Sequence, residues 1–196
     1  MDTTSVTTLK LDPEREQAIL RATLEVLAET GYDGLRLDTV AARAKASKAT
    51  LYRHWPGKAD LVVSAVKCYE QDDLVADTDT GSLRGDLLAA VRAIRDMMTG
   101  PTGQIMAGLM IVMQRDPELA ETVRVCILDD KQQVTRHMLE RAIARGELPA
   151  DADPEIFPEI APAVLFTRIL IQGKPADEDY LTHLTDDILI PLMTRH

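Results

Sequence analysis

The side chains with the clearest chemical capacity lie in one short stretch, Arg36 to Lys58. It holds six cations, Arg36, Arg43, Lys45, Lys48, Arg53 and Lys58, against one carboxylate, Asp38. The whole chain carries 22 Lys and Arg against 32 Asp and Glu, a formal charge of −10. Such a balance excludes a protein that binds nucleic acid or anionic membrane over its entire surface, but it leaves room for one local cationic face. At helical spacing, Leu51 and Trp55 fall on one side with Ser47 at the start, so Ser47 caps the helix while the other two pack inward. The opposite side presents Lys48, Ala49, Tyr52 and Arg53, with Thr50 and His54 at its margins. A small residue allows close approach to a DNA major groove, and hydroxyl and cationic donors reach base edges and phosphates. Taken singly, these residues also fit plainer roles. Tyr52 suits a half-buried core aromatic, His54 a surface residue, and Arg43 a solvated charge as well as a backbone clamp.

Other chemistry is not encoded at recognisable spacing. The histidines His54, His137, His183 and His196 form no metal-ligand pattern, and no Gly-rich phosphate loop or serine elbow is present. The sequence therefore predicts no metal site, no cofactor and no enzymatic activity. Cys68 and Cys126 lack metal spacing and are expected to be buried, reduced thiols. The longest apolar run, Ile105 to Met113, is too short to span a bilayer, and Met1 to Lys10 reads as a polar tail and not a secretion signal. The expected location is the cytoplasm, with no membrane partner.

The elements that must position the basic face are helical. Apolar residues repeat at helical spacing almost throughout the 196 residues, and period-two alternation is missing, so the fold class is all-α with about nine helices. Asp12-Pro13, Asp116-Pro117 and Asp153-Pro154 each read as a helix start, with carboxylate cap and proline in the first turn. The first helix is expected from Pro13 to Thr30, ended by Gly31, with Ile19, Ala22, Thr23, Val26 and Leu27 on its buried stripe. Short helices around 38–44 and 48–55, joined by about three residues, make a helix-turn-helix. A fourth helix runs from Lys58 to about Asp72, burying Leu61, Val62, Ala65, Val66 and Tyr69. Further helices are expected at 82–98, 102–114, 117–145, 154–172 and 177–193. The division is a flexible tail over 1–12, a DNA-binding domain over 13–72 and a larger domain over 73–196.

The stretch Ala41 to Leu61, with Ser47-Lys-Ala-Thr-Leu-Tyr-Arg-His-Trp55 and Lys58-Ala-Asp-Leu61 at its centre, resembles the tetracycline-repressor (TetR) family of one-component bacterial regulators. The resemblance extends from Pro13 to about Tyr69. It continues more weakly through Arg115-Asp-Pro-Glu-Leu119 and Arg145-Gly-Glu-Leu-Pro149. It implies an N-terminal three-helix DNA-binding head on a ligand-binding and dimerisation body, forming a ligand-responsive, sequence-specific regulator. The usual mode is a repressor released from its operator by a small molecule. By position, Lys48 and Ala49 open the recognition helix, Thr50, Tyr52, Arg53 and His54 supply further base or phosphate contacts, and Lys58 with its helix N-terminus attracts phosphate. Arg36, Arg43 and Lys45 are candidate contacts to the DNA backbone. Two positions depart from the family pattern: Lys45 stands where Gly is usual, and Arg36 where a Thr often caps the second helix.

In the body, Met97, Met98, Met106, Met110 and Met113 fall within seventeen residues, and methionine repacks around varied apolar molecules. They are the expected wall of an effector pocket for a small apolar or amphipathic molecule, and plain core packing is the other reading. Val123, Ile127, Val134 and Met138 should face inward, and Asp129-Asp130 reads as exposed charge or an attractor for a cationic effector. The last two helices carry more apolar surface than an exposed hairpin should. Val164, Leu165, Ile169, Leu184 and Ile188 are therefore expected at a homodimer interface, as the family implies. Pro162 and Pro191 are expected to kink or end these helices. The expected partners are double-stranded operator DNA, a small effector and a second copy of the chain. A helical dimer that binds only a small molecule or a protein is the alternative.

Overall fold

The computed structural model describes residues 11–71 and 78–194, and all of its regular structure is helical. The chain divides into two compact units, residues 1–68 and 69–196. The expected tail over 1–12 falls almost wholly outside the described residues, as does the expected domain boundary at 72/73.

The first unit begins with α1, Pro13–Gly34, whose buried stripe is Ile19, Leu20, Ala22, Thr23, Val26 and Leu27. Proline occupies its first turn, but Asp12 makes no side-chain cap hydrogen bond. The helical path breaks at Gly31, whose φ of 67° and ψ of 175° lie in a region that only glycine enters without strain. The expected left-handed cap is thus a positive-φ break with extended ψ, after which Tyr32 turns back into the core at 8% exposure. Next come α2, Leu37–Arg43, and α3, Lys48–His54, followed by α4, Lys58–Gln71. Arg36 precedes α2 in extended conformation and gives it no side-chain cap. Leu61, Val62, Ala65 and Val66 are all buried on α4, as their spacing predicts, whereas the side chain of Tyr69 lies outside the described residues.

The second unit is built around α5, Leu83–Thr99, which packs against α6, Pro101–Met113, and against most of the later helices. The helix α7, Pro117–Val123, runs on through a wide π-helical turn, Arg124–Leu128, into α8, Asp129–Ala144. In the same way α9, Ile156–Phe166, continues through Thr167–Ile171, and α10, Glu178–His183, continues through Leu184–Leu189 into α11, Ile190–Met193. Each run is one continuous helix, which is how apolar spacing reads them. The start of α9 moves from Pro154 to Ile156, because Asp153 accepts a 2.9 Å hydrogen bond from Glu155 N–H in a turn and does not cap the helix.

Pro162 stays inside α9, and Pro191 stands two residues past the π turn of 184–189. A proline removes one helical donor and crowds the preceding turn, and the widened turn before Pro191 supplies room for its ring, whereas the turn before Pro162 is ordinary α-helix. The core of this unit gathers Leu87, Val91, Met138, Phe157, Leu165, Leu181, Leu184 and Leu189. At the corner from α5 to α6, Gly103 allows backbone contact that any side chain would forbid, since a Cβ there would lie 2.1 Å from the Met98 carbonyl oxygen. Cys68 and Cys126 form no disulfide among the described residues and are half-buried, not buried as expected. Among the described residues no helix is long and apolar enough to cross a membrane.

Candidate nucleic-acid interface

The turn between α2 and α3 is built from paired backbone hydrogen bonds. Ala46 N–H reaches the Ala41 carbonyl at 2.9 Å, and Lys45 N–H reaches that of Ala42 at 3.3 Å. This is the Schellman arrangement, which requires a left-handed residue at its corner. Lys45 fills that corner with φ 52°, and among the described residues it is the non-glycine residue with positive φ. A side chain in that conformation costs about 1 kcal/mol, so the position keeps a cation at the expense of backbone strain. Ser47 then caps α3, its Oγ accepting from Thr50 N–H at 3.1 Å.

Across α3 the separation into two faces is sharp. Leu51 is 0% and Trp55 5% exposed, whereas Lys48, Ala49, Tyr52 and Arg53 are exposed, Tyr52 at 57%. Thr50 and His54 lie half-buried at the margins, with the His54 ring 6.0 Å from that of Trp55. A 57% exposed tyrosine removes the core reading of Tyr52, because burial would have hidden its ring. The outward surface is small at Ala49 and flanked by an ammonium, a phenol and a guanidinium, the donor types that read base edges and hold phosphates.

The remaining cations divide by their partners. Arg43 on α2 forms two parallel hydrogen bonds of 2.7 Å to both carboxylate oxygens of Glu29 on α1. The hydrogen bond from Arg43 holds the Glu29 carboxyl below its ordinary range and raises the guanidinium in turn. Arg43 is therefore engaged as a fastener between two helices. Lys48 Nζ lies 2.6 Å from Asp38 Oδ2, both side chains being more than half exposed. Lys58 stands over the Tyr32 ring, 4.2 Å from its centroid, and 3.5 Å from the Asp33 carbonyl oxygen. Arg36, Lys45 and Arg53 are exposed and make no ion pair among the described residues. Asp38 and Glu29 were not singled out by sequence reasoning. Asp38 was visible as the lone carboxylate of the basic stretch, but its pairing joins two helices and leaves no spacing signal.

In the second unit the five methionines occupy different environments. Met98 is buried, Met97, Met106 and Met113 are half-buried, and Met110 is 45% exposed, beside Ile111 at 68%. Val123 and Met138 are buried and Val134 half-buried, while the side chains of Ile127, Asp129 and Asp130 lie outside the described residues. Of the residues expected at a dimer interface, Leu165 and Leu184 are 0% exposed inside a single chain. Their apolar surface is already used by that core, so neither can face a second copy, whereas Val164, Ile169 and Ile188 keep partial exposure. An open cleft of about 300 Å³, lined by Ala163, Val164, Thr167, Arg168, Gln172 and Tyr180, lies on the same helices. Within it the Arg168 guanidinium stacks 3.6 Å from the Tyr180 ring centroid, with Nε donating to the Pro175 carbonyl oxygen at 2.7 Å.

Comparison with known proteins agrees with this geometry. Residues 19–65 match the family model of bacterial regulatory proteins of the tetR family, and residues 77–188 match the tetracyclin repressor-like C-terminal domain. The chain is 34% identical over 179 residues to the DNA-binding transcriptional repressor TetR of Mycobacteroides abscessus, covering 91% of this chain and 94% of that one. Among solved structures, the TetR family transcription regulator SCO0332 superposes with a TM-score of 0.73 at 31% identity, covering 90% of this chain and 97% of the other. The regulator FadR from Bacillus subtilis, solved in complex with stearoyl-CoA, shares the fold with a TM-score of 0.66 at 18% identity, over 91% and 98% of the two chains. With a capped recognition helix, its outward donor face and both family domains in place, the chain belongs to the TetR family of DNA-binding transcriptional regulators.

Proposed function

We propose that this protein is a homodimeric repressor that holds a near-palindromic operator through two copies of α3 and releases it when a small apolar or amphipathic effector binds the second unit. The observation that carries this reading is the division of α3, with Leu51 and Trp55 buried and Lys48, Ala49, Tyr52 and Arg53 facing outward. One seven-residue helix reads few base pairs, so two heads on half-sites about one turn of DNA apart, roughly 34–36 Å, supply the selectivity.

In this reading Lys48, Tyr52 and Arg53 reach bases or phosphates, Ala49 permits the close approach, and Thr50 and His54 contact the strand at the margins. Lys58, Arg36 and Lys45 add backbone attraction. Partial exposure of Val164, Ile169 and Ile188 supports pairing through the last helices. The methionines around the α5–α6 corner are the proposed effector wall, and the stearoyl-CoA bound to FadR is an example of an amphipathic molecule held on the same fold. The protein acts as a regulator without catalysis, on chromosomal DNA in the cytoplasm. Because effector and operator act on one equilibrium, each weakens the binding of the other by the same factor.

A selection from a random duplex pool, followed by binding titrations at two salt concentrations, tests this. The expected result is a recovered inverted repeat whose binding weakens as salt rises. A pool with no enriched sequence, or no salt-dependent binding, contradicts the proposal and favours a helical dimer that binds only a small molecule or a protein.

A further inference from the structure

Asp38 is the single carboxylate between Arg36 and Lys58, and it takes hold of the cation that opens the recognition helix. The pair has a different construction from the neighbouring Arg43–Glu29 contact. Arg43 and Glu29 meet through two parallel hydrogen bonds, and Arg43 keeps only 32% of its side chain exposed. Lys48 and Asp38 meet at one 2.6 Å contact, with 62% and 56% of their side chains exposed. An ammonium on a flexible stem, paired in solvent, is held weakly and can exchange one anion for another. A DNA phosphate is such an anion, and a base edge is an alternative acceptor.

We propose that Asp38 is a specificity-determining residue, which withholds Lys48 from DNA in general and yields it on the operator. Non-specific binding draws almost entirely on phosphate charge. On an arbitrary duplex, Lys48 can gain a phosphate only by leaving Asp38. In a non-specific complex one cation of the face is thus already neutralised. On the operator, Lys48 exchanges the carboxylate for oriented acceptors on the bases, and the neighbouring contacts of Tyr52 and Arg53 offset the loss. Asp38 therefore acts through Lys48 as a positioning residue, widening the gap between operator and non-operator affinity.

This inference rests on the DNA-binding reading above, and the experiment separates the two. Binding of Asp38→Asn and wild type is measured against a duplex selected by the wild-type protein and against a random-sequence duplex of equal length, over a range of salt. The same titrations are run on Lys48→Ala and on the double variant. The proposal expects Asp38→Asn to tighten random-duplex binding about three- to tenfold and to steepen its salt dependence by about one phosphate, with a smaller change on the selected duplex. It also expects most of that gain to vanish in the Lys48→Ala background. Equal changes on both duplexes overturn the specificity role. Loss of selected-duplex binding alone makes Asp38 a direct reader of a base and overturns the withholding role, and a gain that persists without Lys48 overturns action through that residue. If the wild-type protein binds neither duplex in a salt-dependent way, the DNA-binding reading itself fails.

Discussion

Arg43 on α2 grips Glu29 on α1 with Nη1 on Oε1 and Nη2 on Oε2, each at 2.7 Å, so two helices of the first unit are joined by a planar fork. The contact depresses the Glu29 pKa, chiefly through the hydrogen bond from Arg43. A carboxyl with a lower pKa in the folded than in the unfolded state stabilises the fold fully above its ordinary range. That contribution is lost as pH falls through the depressed value. Thermal melting of wild type and Glu29→Gln should therefore differ at neutral pH and converge on acidification. A gap that widens in acid would contradict the assignment.

Leu51 and Ala49 lie two residues apart on α3 and should fail in opposite ways. Leu51→Ala empties a fully buried position and should cost about 3 kcal/mol, read as a lowered denaturation midpoint with loss of DNA binding. Ala49→Leu adds bulk to an exposed position and should leave stability within about 0.5 kcal/mol. Its DNA affinity should nonetheless fall at least about tenfold, since the close approach is blocked. Denaturation and titration on the same samples separate the two effects.

Lys45 carries a trade between fold and charge. Lys45→Gly relieves the positive φ of 52° and should raise stability by about 0.5–1 kcal/mol, the greater freedom of glycine when unfolded offsetting part of the relief. The same variant should reduce the slope of log affinity against log salt by about one unit if Lys45 meets a phosphate. An unchanged slope would place its ammonium away from DNA.

Asp86 is the deepest carboxylate among the described residues, at 2% exposure on the first turn of α5. Burial alone would raise its pKa. Hydrogen bonds from the Thr80 hydroxyl at 2.6 Å and the Thr80 N–H at 2.7 Å, with Arg145 Nη2 at 3.2 Å, outweigh burial and hold it low. Asp86→Ala should cost about 1–2 kcal/mol, because the Thr80 N–H loses its acceptor and Arg145 loses one of three carboxylate partners, with Asp79 and Glu147 remaining. In wild type this contribution is present above the ordinary aspartate range and disappears only as pH drops below it. Melting curves of both proteins across acid pH read this directly.

The helix-turn-helix was legible in the sequence because local signals agree there: Ser47 as cap, Leu51 and Trp55 four apart, and Pro56-Gly57 as the stop. Helix starts at Asp-Pro pairs were less uniform. Asp116 does cap, accepting from Leu119 N–H at 3.0 Å, whereas Asp12 makes no such bond and Asp153 closes a turn. Sequence spacing could not separate the fully buried Leu165 and Leu184 from the half-buried Val164 and Ile188. Widened turns at 167–171 and 184–189 shift the apolar stripe, and the core selects among neighbouring leucines by packing. The pairs Lys48–Asp38 and Arg43–Glu29 join separate helices, and such contacts exist only once the chain has folded.

Guanine N7 lies in the major groove, so methylation protection on the selected duplex tests the placement of α3 most directly. Two protected patches are expected on one face of the DNA, about one helical turn apart, with protection lost in Ala49→Leu. Uniform methylation under saturating protein, or protection unchanged by that substitution, would contradict that placement.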